Sequence, residues 1–153
     1  MAQLQQFCTF FLNGIYFGID LQDVQEIIRA GAVTRVPLAP LDICGLINLR
    51  GKIVTVIDLQ RRLAMNETQL QSPAAIANEQ LSYNVVVQTK DEMVSLQVDD
   101  IGDVLELTAD SFESPPATLK GMRELLKGAY KLQNGFLLIL DTEKVLEVKS
   151  NQL

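Results

Sequence analysis

Few residues in this chain could do chemistry. Asp99, Asp100 and Asp103 crowd the end of an apolar run, and three carboxylates so spaced could offer oxygen ligands to a hard cation. They lack the full spacing of a calcium loop, and acidic residues at a strand end equally well form a solvated turn. The 153 residues include no histidine. That removes the commonest general base and transition-metal ligand, and with them every serine–histidine and cysteine–histidine nucleophile system. Ser95 and Ser111 have no activating partner. Cys8 and Cys44 lie in apolar runs without the paired spacing of a zinc or redox motif, so they read as buried free thiols of a reducing cytosol. Neither standard phosphate-binding glycine loop occurs; Gly45, Gly51, Gly128 and Gly135 sit where hairpins turn. The expectation is no catalytic residue, no metal and no cofactor.

Composition points the same way. With 48% hydrophobic and 21% charged residues the chain can bury an ordinary globular core. A net charge of −6 without any Lys/Arg cluster disfavours nucleic acid or an anionic membrane as principal partner, leaving a protein or a small molecule. No apolar run approaches the roughly 20 residues of a membrane span, and Met1–Gln6 lacks the basic start of an export signal. Asn66-Glu67-Thr68 is a formal glycosylation acceptor, read as chance in a chain without such a signal.

The elements that must position any site are mainly strands. Phe7–Leu12 and Ile15–Asp20 flank Asn13-Gly14, a dipeptide suited to a tight hairpin turn. Leu21, Val24, Ile27 and Ile28 have helical spacing behind Asp20, which predicts a short helical turn capped by that residue with its apolar face inward. Val33–Val36 reads as a short strand ended by the Pro37–Pro40 loop. The hairpin Gly45–Asp58, centred on Asn48-Leu49-Arg50-Gly51, leads to a turn of helix at Leu59–Leu63 capped by Asp58; 64–81 reads as a polar connection. A second pass follows. Tyr83–Lys90 and Met93–Val98 are strands, Asp103–Leu107 echoes Asp23–Ile27 at an offset of 80, and Pro115-Pro116 replaces the earlier proline loop. Leu119–Lys127 has helical spacing, and Asp141–Val148 predicts a C-terminal helix. Gly45, Leu49 and Asp58 recur 83 positions later as Gly128, Leu132 and Asp141. Many short strands twice over predict two small β-barrels packed together.

The run Tyr16–Asp20, Asp23–Ile27, Gly45–Asp58 with its Asn48-Leu49-Arg50-Gly51 centre, and then Val98-Asp99 with Asp103-Val104-Leu105, resembles the CheW family of bacterial chemotaxis coupling proteins over nearly the whole chain. The resemblance implies a mainly β fold with short helices: two SH3-like five-stranded β-barrel subdomains related by pseudo-symmetry, forming a single domain over 1–153. Subdomain one would span about 14–80 and subdomain two about 81–140, with the N-terminal strand and C-terminal helix packing across. It implies a non-catalytic adaptor in the cytoplasm, recruited to membrane-associated arrays, that joins chemoreceptor tips to the regulatory domain of a CheA-type histidine kinase. Carried over residue by residue, the receptor-facing groove falls at Val24, Glu26, Ile27, Arg50 and Val104, and the kinase contact at Gly45, Leu46 and Asn48. Other CheW-like modules are further partners where such proteins close into rings, a pattern from which Phe112–Thr118 departs. The alternatives are a structural scaffold, a paralogue serving twitching motility, surface sensing or gene regulation, and a metal-binding enzyme or sensor built on the acidic cluster.

Overall fold

The computed structural model of the chain describes residues 4–65, 82–90, 92–119 and 121–147. Of the polar connection read at 64–81, residues 66–81 fall outside these residues, and with them the Asn66-Glu67-Thr68 acceptor. Among the described residues eleven strands form two sheets. They are β1 (Leu4–Leu12), β2 (Ile15–Asp20), β3 (Val24–Arg29), β4 (Ile43–Leu49), β5 (Lys52–Asp58), β6 (Tyr83–Gln88), β7 (Met93–Val98), β8 (Asp100–Thr108), β9 (Phe112–Glu113), β10 (Leu126–Leu132) and β11 (Gly135–Leu140). The short helices α1 (Leu59–Arg62) and α2 (Thr142–Leu146) each follow an aspartate whose carboxylate accepts a backbone N–H three residues on: Asp58 from Arg61, and Asp141 from Lys144.

One sheet runs β3-β6-β7-β5-β4, and the other β8-β1-β2-β11-β10-β9. The repeat is visible in the register. Gly45 faces Val56 and Leu49 faces Lys52 in the β4–β5 hairpin, while 83 positions on Gly128 faces Ile139 and Leu132 faces Gly135. Each sheet is closed along its seam by the chain that leaves its edge strand. Thr34, after β3, bridges to Leu46 on β4; β9, after β8, pairs with β10. The second sheet thus gains a two-residue sixth strand beyond the five expected.

The sheets do not follow the two sequence halves. The β1–β2 hairpin lies with β8–β11, and the β6–β7 hairpin with β3–β5, so the halves exchange their first hairpins. The sheets accordingly group residues 24–98 against 4–20 with 100–140, a different grouping from the 14–80 and 81–140 subdomains of the sequence reading. This exchange also changes the second repeat offset. Val24 pairs with Val87 and Ile27 with Val85, whereas Ile101 pairs with Phe10 and Val104 with Cys8. The structural offset is therefore 77 (101−24, 87−10), not the 80 suggested by the acidic echo, and the counterpart of Val104 is Ile27 rather than Val24.

Three local expectations change. The helical turn after Asp20 stops at Asp23, because Val24–Arg29 are drawn into the ladder with β6 and alternate in exposure with period two. Asp20 does cap that turn, accepting from the Gln22 N–H at 3.0 Å. Val33–Val36 reduces to the single Thr34 bridge. Among the described residues of Leu119–Lys127 only Arg123–Leu125 is helical, a 3-10 turn, since Leu126 and Lys127 already belong to β10. Tertiary strand pairing outweighs helical spacing over so few residues.

The main core lies between the sheets. Phe10, Leu12, Phe17 and Ile19 pack with Val85, Val87, Val94, Leu96 and Val98, joined by Leu59, Leu63, Val145 and Leu146 from the two helices. A smaller cluster of Phe7, Tyr130, Leu137 and Ile139 fills the second barrel. Each such side chain contributes on the order of 1.5–3 kcal/mol through burial.

Candidate functional site

Asn48 to Gly51 make the tip of the β4–β5 hairpin. Arg50 and Gly51 both take positive φ, 52° and 88°, as does Asn13-Gly14 at 53° and 83° in the first hairpin. Two consecutive left-handed residues give the turn whose twist matches antiparallel strands. Asn48 Oδ1 accepts the Gly51 N–H at 2.9 Å and holds the tip shut. Arginine seldom adopts this conformation. Here it sends the guanidinium across the seam of the first barrel to Glu26 on β3, with Nη1 donating to Oε2 at 3.1 Å and Nη2 donating to Oε1. The two-pronged pair joins the edge strand β3 to the tip of the β4–β5 hairpin on the opposite edge of the same sheet. Its first effect is on Glu26, whose carboxyl the Arg50 hydrogen bonds hold below the usual carboxylate range.

Ile27 stands beside Glu26 with 39% of its surface exposed, and its counterpart Val104 on β8 is 52% exposed. Val24 differs, being half-buried against the inter-barrel core. The five residues of the expected receptor groove thus separate. Glu26 and Arg50 are in direct contact with Ile27 next along the strand, Val24 faces inward, and Val104 lies on the edge strand of the other sheet.

The residues expected at a kinase contact lie along β4. Gly45 has φ +152°, and a Cβ there would fall 2.6 Å from Val33 Cγ1 and closer still to the Thr34 carbonyl oxygen. Leu46 exchanges both backbone hydrogen bonds with Thr34, at 2.8 and 2.9 Å. Gly128 repeats this role, where a Cβ would come 2.6 Å from the Glu113 carbonyl oxygen. Both glycines therefore admit the strand that closes their barrel, a packing role the recurrence at 83 already signalled. The Glu26–Arg50 pair was not legible, because opposite charges 24 positions apart carry no local signal; its counterparts in the second barrel are Asp103 and Gln133.

The acidic cluster does not gather into a cation site. Asp99 accepts the Asn13 N–H at 2.6 Å and both its oxygens accept from Gln60 Nε2, while Asp100 Oδ1 accepts the Ile101 N–H. Among the described residues no group of three or more His, Cys, Asp or Glu is placed to hold a metal. Both cysteines are free. Cys8 is buried, and Cys44 is half-buried, its thiol donating to Gln97 Oε1 at 3.2 Å. No helix among the described residues is long and apolar enough to cross a membrane.

The model of the CheW-like domain family matches residues 6–150. The chain is 30% identical over 148 residues to the chemotaxis protein CheW of Treponema pallidum, covering 96% of this chain and 85% of that protein. It is 33% identical over 143 residues to the chemotaxis protein CheW of Klebsiella aerogenes, covering 93% and 81%. The crystal structure of the scaffolding protein TtCheW from Thermoanaerobacter tengcongensis superposes with a TM-score of 0.83 at 26% identity, over 99% of this chain and 98% of that one. Two closed sheets with exchanged hairpins, glycine-admitted seams and no assembled catalytic group among the described residues thus accompany a match across nearly the whole length, and the chain belongs to the CheW family of non-catalytic chemotaxis scaffold and adaptor proteins.

Proposed function

We propose that this protein couples the cytoplasmic tips of chemoreceptors to a CheA-type histidine kinase, working in the cytoplasm at membrane-associated arrays. The observation that carries the reading is the exposed pair Ile27 and Val104 at matching positions of the two barrels, the first of them beside the Glu26–Arg50 fork. Exposed β-branched side chains on edge strands suit the apolar face of a receptor helix, and a charged rim sets its orientation. Arg50 keeps 72% of its side chain exposed while bonded to Glu26, so it can reach a partner without leaving its place. The kinase contact is assigned to the β4 side, at Leu46 and Asn48 with Gly45 shaping the strand beneath them.

The test is receptor pulldown beside thermal melting for Val104→Lys and Arg50→Glu. Val104→Lys should retain the fold, because the side chain reaches solvent, and lose several-fold or more in receptor affinity through a desolvated charge. Arg50→Glu should weaken association in the same assay by repulsion from Glu26 and reversal of the rim charge. Normal receptor binding by a folded Val104→Lys protein would place the groove elsewhere. Kinase activity in a receptor mixture with and without the protein separates coupling from scaffolding, since a passive scaffold leaves that activity unchanged.

A further inference from the structure

The two barrels are unequal inside. On β6 the side chains of Tyr83, Val85 and Val87 face the inter-barrel core, so Asn84 and Val86 point into the first barrel; on β7 Val94, Leu96 and Val98 face the core, so Ser95 and Gln97 point inward. Val56, opposite Ser95 on β5, and Val54 complete this lining. The offsets of 77 and 83 supply the corresponding residues of the second barrel. Phe7 answers to Asn84, Tyr130 to Ile47, Leu137 to Val54 and Ile139 to Val56, each larger than its partner. Gly18, Thr9 and Asp20 are smaller than the Ser95, Val86 and Gln97 that answer to them; a Cβ at Gly18 would meet Ile139 Cδ1 at 3.1 Å, a contact that the shorter Val56 relieves at Ser95. The tilted Phe7–Tyr130 ring pair, 5.5 Å between centroids, has only an asparagine and an isoleucine in its place.

Two residues inside the first barrel, Asn84 and Ser95, are polar and unsatisfied. Asn84 is 1% exposed and Ser95 0%, yet Asn84 Oδ1 and Ser95 Oγ have no hydrogen-bond partner. An unpaired buried polar group costs about 1–3 kcal/mol, so such atoms are ordinarily matched by protein or by water. Asn84 faces Gln97 and Val86 faces Ser95, which makes Asn84 and Ser95 diagonal neighbours on one face. Diagonal positions are roughly 7–8 Å apart along the backbone, too far for these short side chains to bond directly and suited to one molecule between them. We propose that the first barrel holds an internal water site in which the Ser95 hydroxyl donates to the water and the water donates to Asn84 Oδ1. The site is polar, and the asparagine and valines around it fill less space than the phenylalanine, leucine and isoleucine of the second barrel, as a buried water requires. It leaves the barrel that carries Glu26 and Arg50 with a hydrated interior and the other with a dry aromatic one. It does not depend on the coupling role.

The experiment uses the full chain in solution. Water-selective NMR should show cross-peaks from a long-lived water to the Asn84 side-chain amide and the Ser95 β-protons, and none to the Phe7 and Tyr130 rings. Oxygen-17 relaxation dispersion should lose amplitude in Asn84→Leu, and also in the milder Ser95→Ala should the leucine variant fail to fold. Absence of the wild-type cross-peaks, or an undiminished dispersion in a folded variant, would overturn the proposal.

Discussion

Gly45→Ala isolates the closing of the first barrel. The new methyl group would lie 2.6 Å from Val33 Cγ1 and nearer still to the Thr34 carbonyl oxygen, and the residue would be held at φ +152°, where side chains are strained. Val33 can give way; the Thr34 oxygen cannot, because it accepts the Leu46 N–H at 2.8 Å and that bond closes the seam. Overpacking costs about 1–3 kcal/mol and a disfavoured backbone conformation a further ~1–3. The sum is roughly 2–6 kcal/mol, against a total stability of about 5–15 kcal/mol. At about 2–4 °C per kcal/mol for a chain of this size, the melting temperature should fall by roughly 4–24 °C. Two controls divide the effect. Gly51 has φ +88° but nothing within 4 Å of a Cβ, so Gly51→Ala carries strain alone and should cost about 1 kcal/mol. Gly128 has no left-handed φ but meets Glu113 and Phe112, so Gly128→Ala carries the clash alone. Thermal melting by circular dichroism should rank Gly45→Ala as the most damaging of the three. A Gly45→Ala protein melting with wild type would refute the seam argument, and Gly45→Asp, if folded with full kinase affinity, would remove this position from the kinase contact.

Burial raises the Asp58 carboxyl above its ordinary value, outweighing the Arg61 contacts that lower it. The folded state therefore holds this proton more tightly than the unfolded chain, so the contribution of Asp58 is full below the unfolded value and is lost as pH rises through the folded one. Wild type should lose melting temperature relative to Asp58→Asn as pH rises from the ordinary carboxylate value through the raised one; a gain over that rise would refute the assignment. Burial foremost, with the Asp58 charge second, pushes the Cys44 thiol up to about 12, and burial also raises Cys8. Both should react with a thiol reagent at pH 8 far more slowly in the folded protein than in denaturant, as the neutral thiol is a poor nucleophile. Rapid labelling of Cys44 in the native state would contradict its half-buried setting.

What the sequence determined by itself was local or repeated. Asn13-Gly14 and Gly51 mark their turns because few residues accept positive φ, and Asp58 and Asp141 mark helix starts because a carboxylate there meets free N–H groups. The absence of histidine removed whole classes of enzyme on composition alone. The recurrence of Gly45, Leu49 and Asp58 reported a twofold plan, since the same hairpin must pass the same seam twice. Only the tertiary structure decided which elements share a sheet. The β1–β2 and β6–β7 hairpins exchange places, an arrangement whose pairing energy depends on strands far apart in sequence, and the offset of 77 emerges only from that pairing. For the same reason the helical spacing read over Leu21–Ile28 gives way to strand from Val24 onward, beside β6. Ile27 joins Val104 as an exposed counterpart, and Glu26 meets Arg50, because closing the barrel brings opposite sheet edges together, a proximity that no local spacing encodes.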